Sequence, residues 1–186
     1  FYPEENEKND IYEKIKSFGK INIFNNNYYR FKECPPEISD TRKYIVSGEL
    51  KNIITKSGIG GDFAGTICEH ALDKNAEIHG WKIKILKTKE REINIGVASD
   101  DFNQVSPHWN KGYFLYIKQS SLYSMNYSGK NINLKKVQNE VIVEVNMTKK
   151  TIKFIIDGDD KIVAYTNIAV DKPLFPVVIL YTKDDS

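Results

Sequence analysis

Between residues 140 and 157, apolar and polar side chains alternate with a period of two. Glu-Val-Ile-Val-Glu-Val-Asn-Met fills 140–147, a turn is expected at 148–150, and Thr-Ile-Lys-Phe-Ile-Ile-Asp-Gly follows at 151–158. In an extended chain Val141, Val143, Val145 and Met147 share one face, while Glu140, Glu144 and Asn146 share the other. One dry face and one wet face is what an antiparallel sheet packed on an apolar layer supplies. The same alternation recurs from Trp81 to Tyr181, interrupted by short turns. A scaffold of this kind brings little chemistry of its own, so function is sought in the loops.

Further strands follow from the same rule. Trp81, Ile83 and Ile85 alternate with Lys82 and Lys84, and His79 is expected just before this strand. Ile93, Ile95 and Val97 alternate with Asn94, Gly96 and Ala98, so this strand is covered on both faces. Residues 112–118 and 121–125 read as a hairpin around Ser120, and Asp157-Gly158 suits a tight turn. Leu174–Tyr181 is apolar on both faces and belongs in the middle of a sheet. Shorter strands are expected at 44–47 and 49–54. Strands separated by turns, with no helices between them, indicate a sandwich or barrel.

The N-terminal part reads differently. Asp10 with Glu13 resembles a capping box, and Ile11, Ile15 and Phe18 recur on one face before Gly19, which predicts a short helix packed on the sandwich. Residues 25–43, with Asn25-Asn26-Asn27 and Pro35-Pro36, read as irregular surface chain. The expected organisation is an extension over 1–39 and a sandwich domain over 40–186. The chain opens on Phe1 rather than Met and is read as a piece of a longer polypeptide.

At 186 residues the chain can bury a core without crosslinks. A net charge of +2, with its lysines scattered, offers no field for nucleic acid, and no apolar run is long enough for a membrane helix. Cys34 and Cys68 have no metal-like spacing and are read as free thiols, which favours a cytoplasmic setting. Asn126-Tyr-Ser128 and Asn146-Met-Thr148 match the glycosylation pattern but are read as chance matches.

No catalytic constellation stands out. His70, His79 and His108 lack a partner at ligand spacing, and no Gly-x-Ser-x-Gly turn is present. Glu140 and Glu144 share a strand face, but their lysine-rich surroundings indicate a solvated face rather than a glycosidase pair. Asp100-Asp101 and Asp157-Gly-Asp-Asp160 read as turns, not calcium loops. The glycines at 58, 60, 61 and 65 lack the Gly-Lys-Ser/Thr ending of a phosphate loop and read as a turn between strands. Neither cofactor nor catalysis is expected.

The loop at 100–111, Asp-Asp-Phe-Asn-Gln-Val-Ser-Pro-His-Trp-Asn-Lys, is the positive signal. Two large aromatics in a loop stiffened by Pro107 supply contact area at small entropic cost. The opposing reading has Trp109 folding back to cap the core. Tyr123 and Tyr127 lie near the next turns and extend the same rim.

Five motifs in order, His79-Gly-Trp81-Lys-Ile-Lys-Ile85, Ile93-Asn-Ile-Gly-Val-Ala-Ser99, Gly112-Tyr-Phe-Leu-Tyr-Ile117 with Leu122-Tyr-Ser124, Val145-x-Met-x-x-x-Thr-Ile-Lys-Phe154 with Asp157-Gly158, and Pro173-Leu-Phe-Pro-Val-Val178, resemble those of the SPRY (B30.2) domain. The resemblance spans about residues 40–183. It implies a bent two-layer antiparallel β-sandwich of the concanavalin-like kind, with Trp81 in its core. It also implies an adaptor module that binds a peptide or folded protein through loops at one end, often joined to ubiquitin-ligase machinery. The expected partner-binding residues are Asp101, Phe102, His108 and Trp109, with Tyr123, Tyr127 and Phe63 beside them. The aromatics would serve as anchors and Asp101 would pair with a basic or amide group. The alternative is a lectin-like sandwich that stacks a sugar on Trp109.

Overall fold

Val141, Val143 and Val145 are buried while Glu140, Ile142 and Glu144 are only partly covered, so the alternation of 140–146 is the alternation of a half-buried strand. In the computed structural model, which describes residues 29–59, 61–105, 111–124, 127–132, 137–158, 160–183 and 186, that strand is one of twelve. They are β1 (Tyr44–Ser47), β2 (Ile53–Lys56), β3 (Ala64–Ile67), β4 (Ile78–Lys84), β5 (Ile93–Ser99) and β6 (Gly112–Tyr116). The rest are β7 (Ser121–Ser124), β8 (Tyr127–Asn131), β9 (Glu140–Asn146), β10 (Thr151–Ile156), β11 (Asp160–Thr166) and β12 (Leu174–Leu180). A 3-10 turn spans Asp40–Arg42; the helix expected over 10–19 lies outside the described residues.

Among the described residues three sheets form, and every pairing is antiparallel. One has the order β11-β10-β9-β4, a second the order β3-β12-β5-β6-β7-β8, and β1 pairs with β2 alone. The two large sheets face each other as a sandwich. Trp81, Val141, Val143, Val145, Phe154 and Ile156 from one meet Ile93, Ile95, Val97, Leu115, Leu122 and Val178 from the other in a single core. At about 25 cal/mol per Å² of apolar area removed from water, this layer is the main stabilising term. β12 lies between β3 and β5, as its two apolar faces require.

The six-stranded sheet is apolar on its outer face as well. Register places Ile67, Val177, Gly96, Phe114 and Tyr123 in one row across β3, β12, β5, β6 and β7. Ile67, Ala98, Phe102, Phe114, Val177 and Ile179 form a second buried cluster there, flanked by Phe63, Tyr123 and Phe175. At Gly96 the backbones of β5 and β6 leave no room for a side chain. A Cβ there would run into the Tyr113 carbonyl oxygen, so only glycine fits.

Some expected boundaries shift. β2 begins at Ile53 because Gly48 and Lys51, both at positive φ, turn the chain between β1 and β2. His79 sits inside β4, not before it; it is buried and its Nε2 lies 2.7 Å from the Asp73 carbonyl. Residues 30–38 pack on the sandwich: Phe31 bridges to Cys68, and Phe31 and Ile38 belong to the main core. Cys34 and Cys68 are free, and burial pushes the Cys68 thiol up to about 12. Asn146 is buried, with its Oδ1 accepting from the Lys149 N–H at 2.6 Å, which leaves no room for a glycan.

Candidate functional site

The loop after β5 leaves the sheet at Ser99 and returns at Gly112, and its stem is closed by its own side chains. The Lys111 Nζ donates to Asp101 Oδ2 at 2.7 Å, and the Ser99 hydroxyl donates to the other oxygen of the same carboxylate. Those two bonds, Lys111 first, hold the Asp101 carboxyl down at about 2. Asp101 therefore stays charged at any ordinary pH and already has its counter-ion. The expected role of pairing with a partner's basic or amide group has to compete with Lys111.

Phe102 is placed differently from expectation. Its ring is only 6% exposed and packs into the second cluster with Ile67, Ala98, Phe114, Val177 and Ile179. It plugs the loop onto the outer face of the six-stranded sheet and presents no anchor to solvent. An aromatic residue in a polar loop fits either role. The choice was made by apolar residues far away in sequence, on β3 and β12.

Beyond Phe102 the loop is bound to the first strands. Gln104 Nε2 donates to Tyr44 Oη at 2.5 Å and to Thr66 Oγ1 at 3.2 Å. Arg42 Nη1 donates to the Val105 carbonyl at 2.6 Å, and the Asn103 side chain accepts from the Val105 N–H at 2.9 Å. Tyr44 is buried, which pushes its phenol up to about 12, so it remains a neutral partner for Gln104. The 3-10 turn that carries Arg42 is fixed in turn: Thr41 Oγ1 donates to Asp62 at 2.6 Å, and the buried Lys56 Nζ donates to the Thr41 and Gly58 carbonyls at 2.6 and 3.3 Å. Arg42, Tyr44, Gln104 and Lys56 were not foreseen. Gln104 meets Tyr44 and Arg42 meets Val105 across some sixty residues of sequence, and no local pattern announces such a contact.

His108 and Trp109 lie outside the described residues. Tyr127 opens β8 with its backbone opposite Ser124. Tyr123 and Phe63 both pack against the second cluster that Phe102 completes. The Tyr123 ring meets Tyr116 edge-on at 6.0 Å and Phe63 meets Tyr181 at 4.7 Å. Half-covered rings of Phe63, Tyr116, Tyr123, Phe175 and Tyr181 thus rim a buried apolar floor on one side of the sandwich, with Lys32 Nζ 5.5 Å from the Phe175 ring centre.

Of the acidic residues considered for chemistry, Glu140, Glu144 and Asp157 are engaged within the domain. Glu140 pairs with Lys82 at 3.1 Å and Glu144 with Lys153 at 2.8 Å, across neighbouring strands. Asp157 accepts from the backbone N–H groups of Gln138, Asn139 and Glu140 at 2.7, 2.8 and 2.9 Å. Partial burial pushes its carboxyl up, but those donors together outweigh burial and hold it below its usual range. Among the described residues no group of three or more His, Cys, Asp or Glu converges as a metal site.

Comparison with known proteins matches this geometry to one family. The family model described as SPRY domain matches residues 78–186. No curated protein matches by sequence. Among solved structures, the SPRY domain of human HERC1 aligns with a TM-score of 0.62 at 17% identity, covering 77% of this chain and 87% of that one. The PSpry domain of TRIM65 aligns with a TM-score of 0.63 at 13% identity, covering 94% and 96%. At such identities the likeness is one of fold, and with TRIM65 it extends well before residue 78.

Proposed function

This chain belongs to the SPRY domain family, whose members are generally protein-interaction modules, and we propose that it binds a peptide or folded partner through the 100–111 loop and the aromatic rim beside it. No catalytic family is indicated. The observation that carries the reading is the way the loop is held: Asp101–Lys111 closes its stem, Phe102 plugs it into the sheet, and Gln104 and Val105 tie it to Tyr44 and Arg42. A loop whose ends are held before binding has less conformational entropy to lose when it binds. The same loop carries His108 and Trp109 in its sequence, and aromatic anchors are how small interfaces reach useful affinity. In this reading the domain is the targeting part of a larger protein, such as one that carries ubiquitin-ligase machinery. Two free cysteines suit a reducing cytoplasm.

The test compares the chain with its Trp109→Ala variant as baits, with captured proteins read by quantitative mass spectrometry. Equal melting temperatures and selective loss of the wild-type partners are expected. An unchanged partner set from a folded variant would move the site away from the loop. Saturable sugar binding on a glycan array would replace the protein partner with a glycan stacked on the same residue.

A further inference from the structure

β4 ends the four-stranded sheet, and its outer edge borders a groove. Backbone bonds fix which of its residues face that edge. Met147 N donates to Glu77 O and Ile85 N to Asn139 O, both at 2.8 Å, so the odd-numbered residues of this stretch bond to β9. Ile78, Gly80, Lys82 and Lys84 therefore turn their N–H and C=O groups outward. This chain already uses both ends of the edge: Tyr29 Oη donates to the Gly80 carbonyl at 3.4 Å, and Leu86 N donates to Ser186 O at 2.8 Å. Between them, at Lys82 and Lys84, no backbone bond to another described residue occupies the edge.

A cleft of about 270 Å³ opens beside this stretch, between Ile53 and Ile54 of β2 and Lys82 to Lys84 of β4, floored by Val178 and Leu180. A second cleft of about 180 Å³ shares Phe31, Asn52 and Ile83 with it, so the two run on as one groove along the strand. Trp81 lines the second cleft; its indole N–H is buried and has no hydrogen-bond partner among the described residues.

We propose that this groove is a second docking surface, which takes an extended segment of a partner polypeptide as an added strand on β4. The geometry sets the chemistry of the segment. Side chains on its inner face would lie over Val178, Leu180 and Ile93, so they are apolar. Those on its outer face would stand beside the exposed side chain of Lys84 and that of Lys82, which already pairs with Glu140 at 3.1 Å, so the segment carries acidic residues chiefly opposite Lys84. An alternating apolar and acidic segment fits both requirements. The proposal does not depend on the loop reading, because none of these residues belongs to the 100–111 loop.

The probe is a fluorescein-labelled, acetylated peptide alternating Glu with Val and Leu, titrated against the full chain by anisotropy, with amide hydrogen exchange read alongside. Saturable binding and slowed exchange at the Lys82 and Lys84 amides are expected. Lys84→Pro removes an edge N–H without touching the β9 ladder, and it should weaken binding about tenfold. If that variant folds poorly, Lys84→Glu keeps the N–H and should weaken the acidic peptide while strengthening a Lys-alternating one. Three results would overturn the proposal: no effect of either variant; slow exchange at these amides in the free monomer, which gives the edge to this chain itself; or slowing that follows concentration-dependent self-association, which gives it to a second copy.

Discussion

The Tyr165 hydroxyl on β11 donates to the Phe114 carbonyl on β6 at 2.8 Å, joining the two large sheets through one buried phenol. The same oxygen lies 2.9 Å from the Tyr123 carbonyl and accepts from the Phe114 N–H at 3.2 Å. The Tyr113 ring stands edge-on to Tyr165 at 5.2 Å, and the Tyr113 hydroxyl accepts from Ala169 N at 2.9 Å. Phe114 and Tyr123 carry the outer aromatic face, so Tyr165 holds that face from behind. Tyr165→Phe removes the hydroxyl's hydrogen bonds to the Phe114 and Tyr123 backbone and should cost about 1–3 kcal/mol. Urea denaturation measures it, and an unchanged midpoint would show that the phenol contributes nothing net.

Asp157 gives a pH signature. Its folded carboxyl is held below the ordinary carboxylate range by the N–H groups of Gln138, Glu140 and Asn139 against the opposing effect of burial. A depressed folded value means that the stabilisation is complete above the unfolded carboxylate range and is lost as pH falls through the folded value. Asp157→Asn keeps a residue that tolerates the positive φ of 46° there but weakens the acceptor. At neutral pH it should cost about 1 kcal/mol, below the roughly 1.5–3 kcal/mol of a buried charged hydrogen bond, because the carboxylate is partly in water. The gap between wild type and variant should narrow below about pH 4. A gap that stays constant to pH 2 would assign the cost to geometry rather than charge.

The sandwich was legible wherever one face is dry and the other wet. Val141, Val143 and Val145 against Glu140 and Glu144 declared β9 directly. Alternation failed where the physics departs from it. β3 consists of Ala64, Gly65, Thr66 and Ile67, all buried and mostly too small to show a period. β11 has a register shift opposite Ile152 and Lys153, where Tyr165 and Val163 are the successive partners, so its period of two slips. The candidate site was legible as a loop but not as a surface. Asp101, Phe102 and Gln104 are each committed to partners inside the domain, and those commitments depend on contacts that only the folded chain creates.

Gly96 tests how tightly β5 and β6 are joined. The obstacle to a side chain is backbone, the Tyr113 carbonyl, and a ladder cannot yield as a flexible side chain can. Gly96→Ala should destabilise by about 3 kcal/mol, at the upper end for overpacking, and lower the melting temperature accordingly. A loss within a few tenths of a kcal/mol would mean that β6 moves aside.

Phe102 separates loop support from loop contact. Its ring is buried among Ile67, Phe114 and Val177, so Phe102→Ala removes core packing and should cost about 3–5 kcal/mol, as for other large-to-small changes in a core. Phe102→Leu retains much of the apolar volume and should cost about 1 kcal/mol, close to a volume-conserving swap. If the residue supports the loop, partner capture by the leucine variant should stay near wild type while Trp109→Ala abolishes it. Capture lost equally in Phe102→Leu, with the melting temperature preserved, would mean that the ring leaves its cluster to meet the partner. In that case the buried position in the second cluster would be a resting state of the loop.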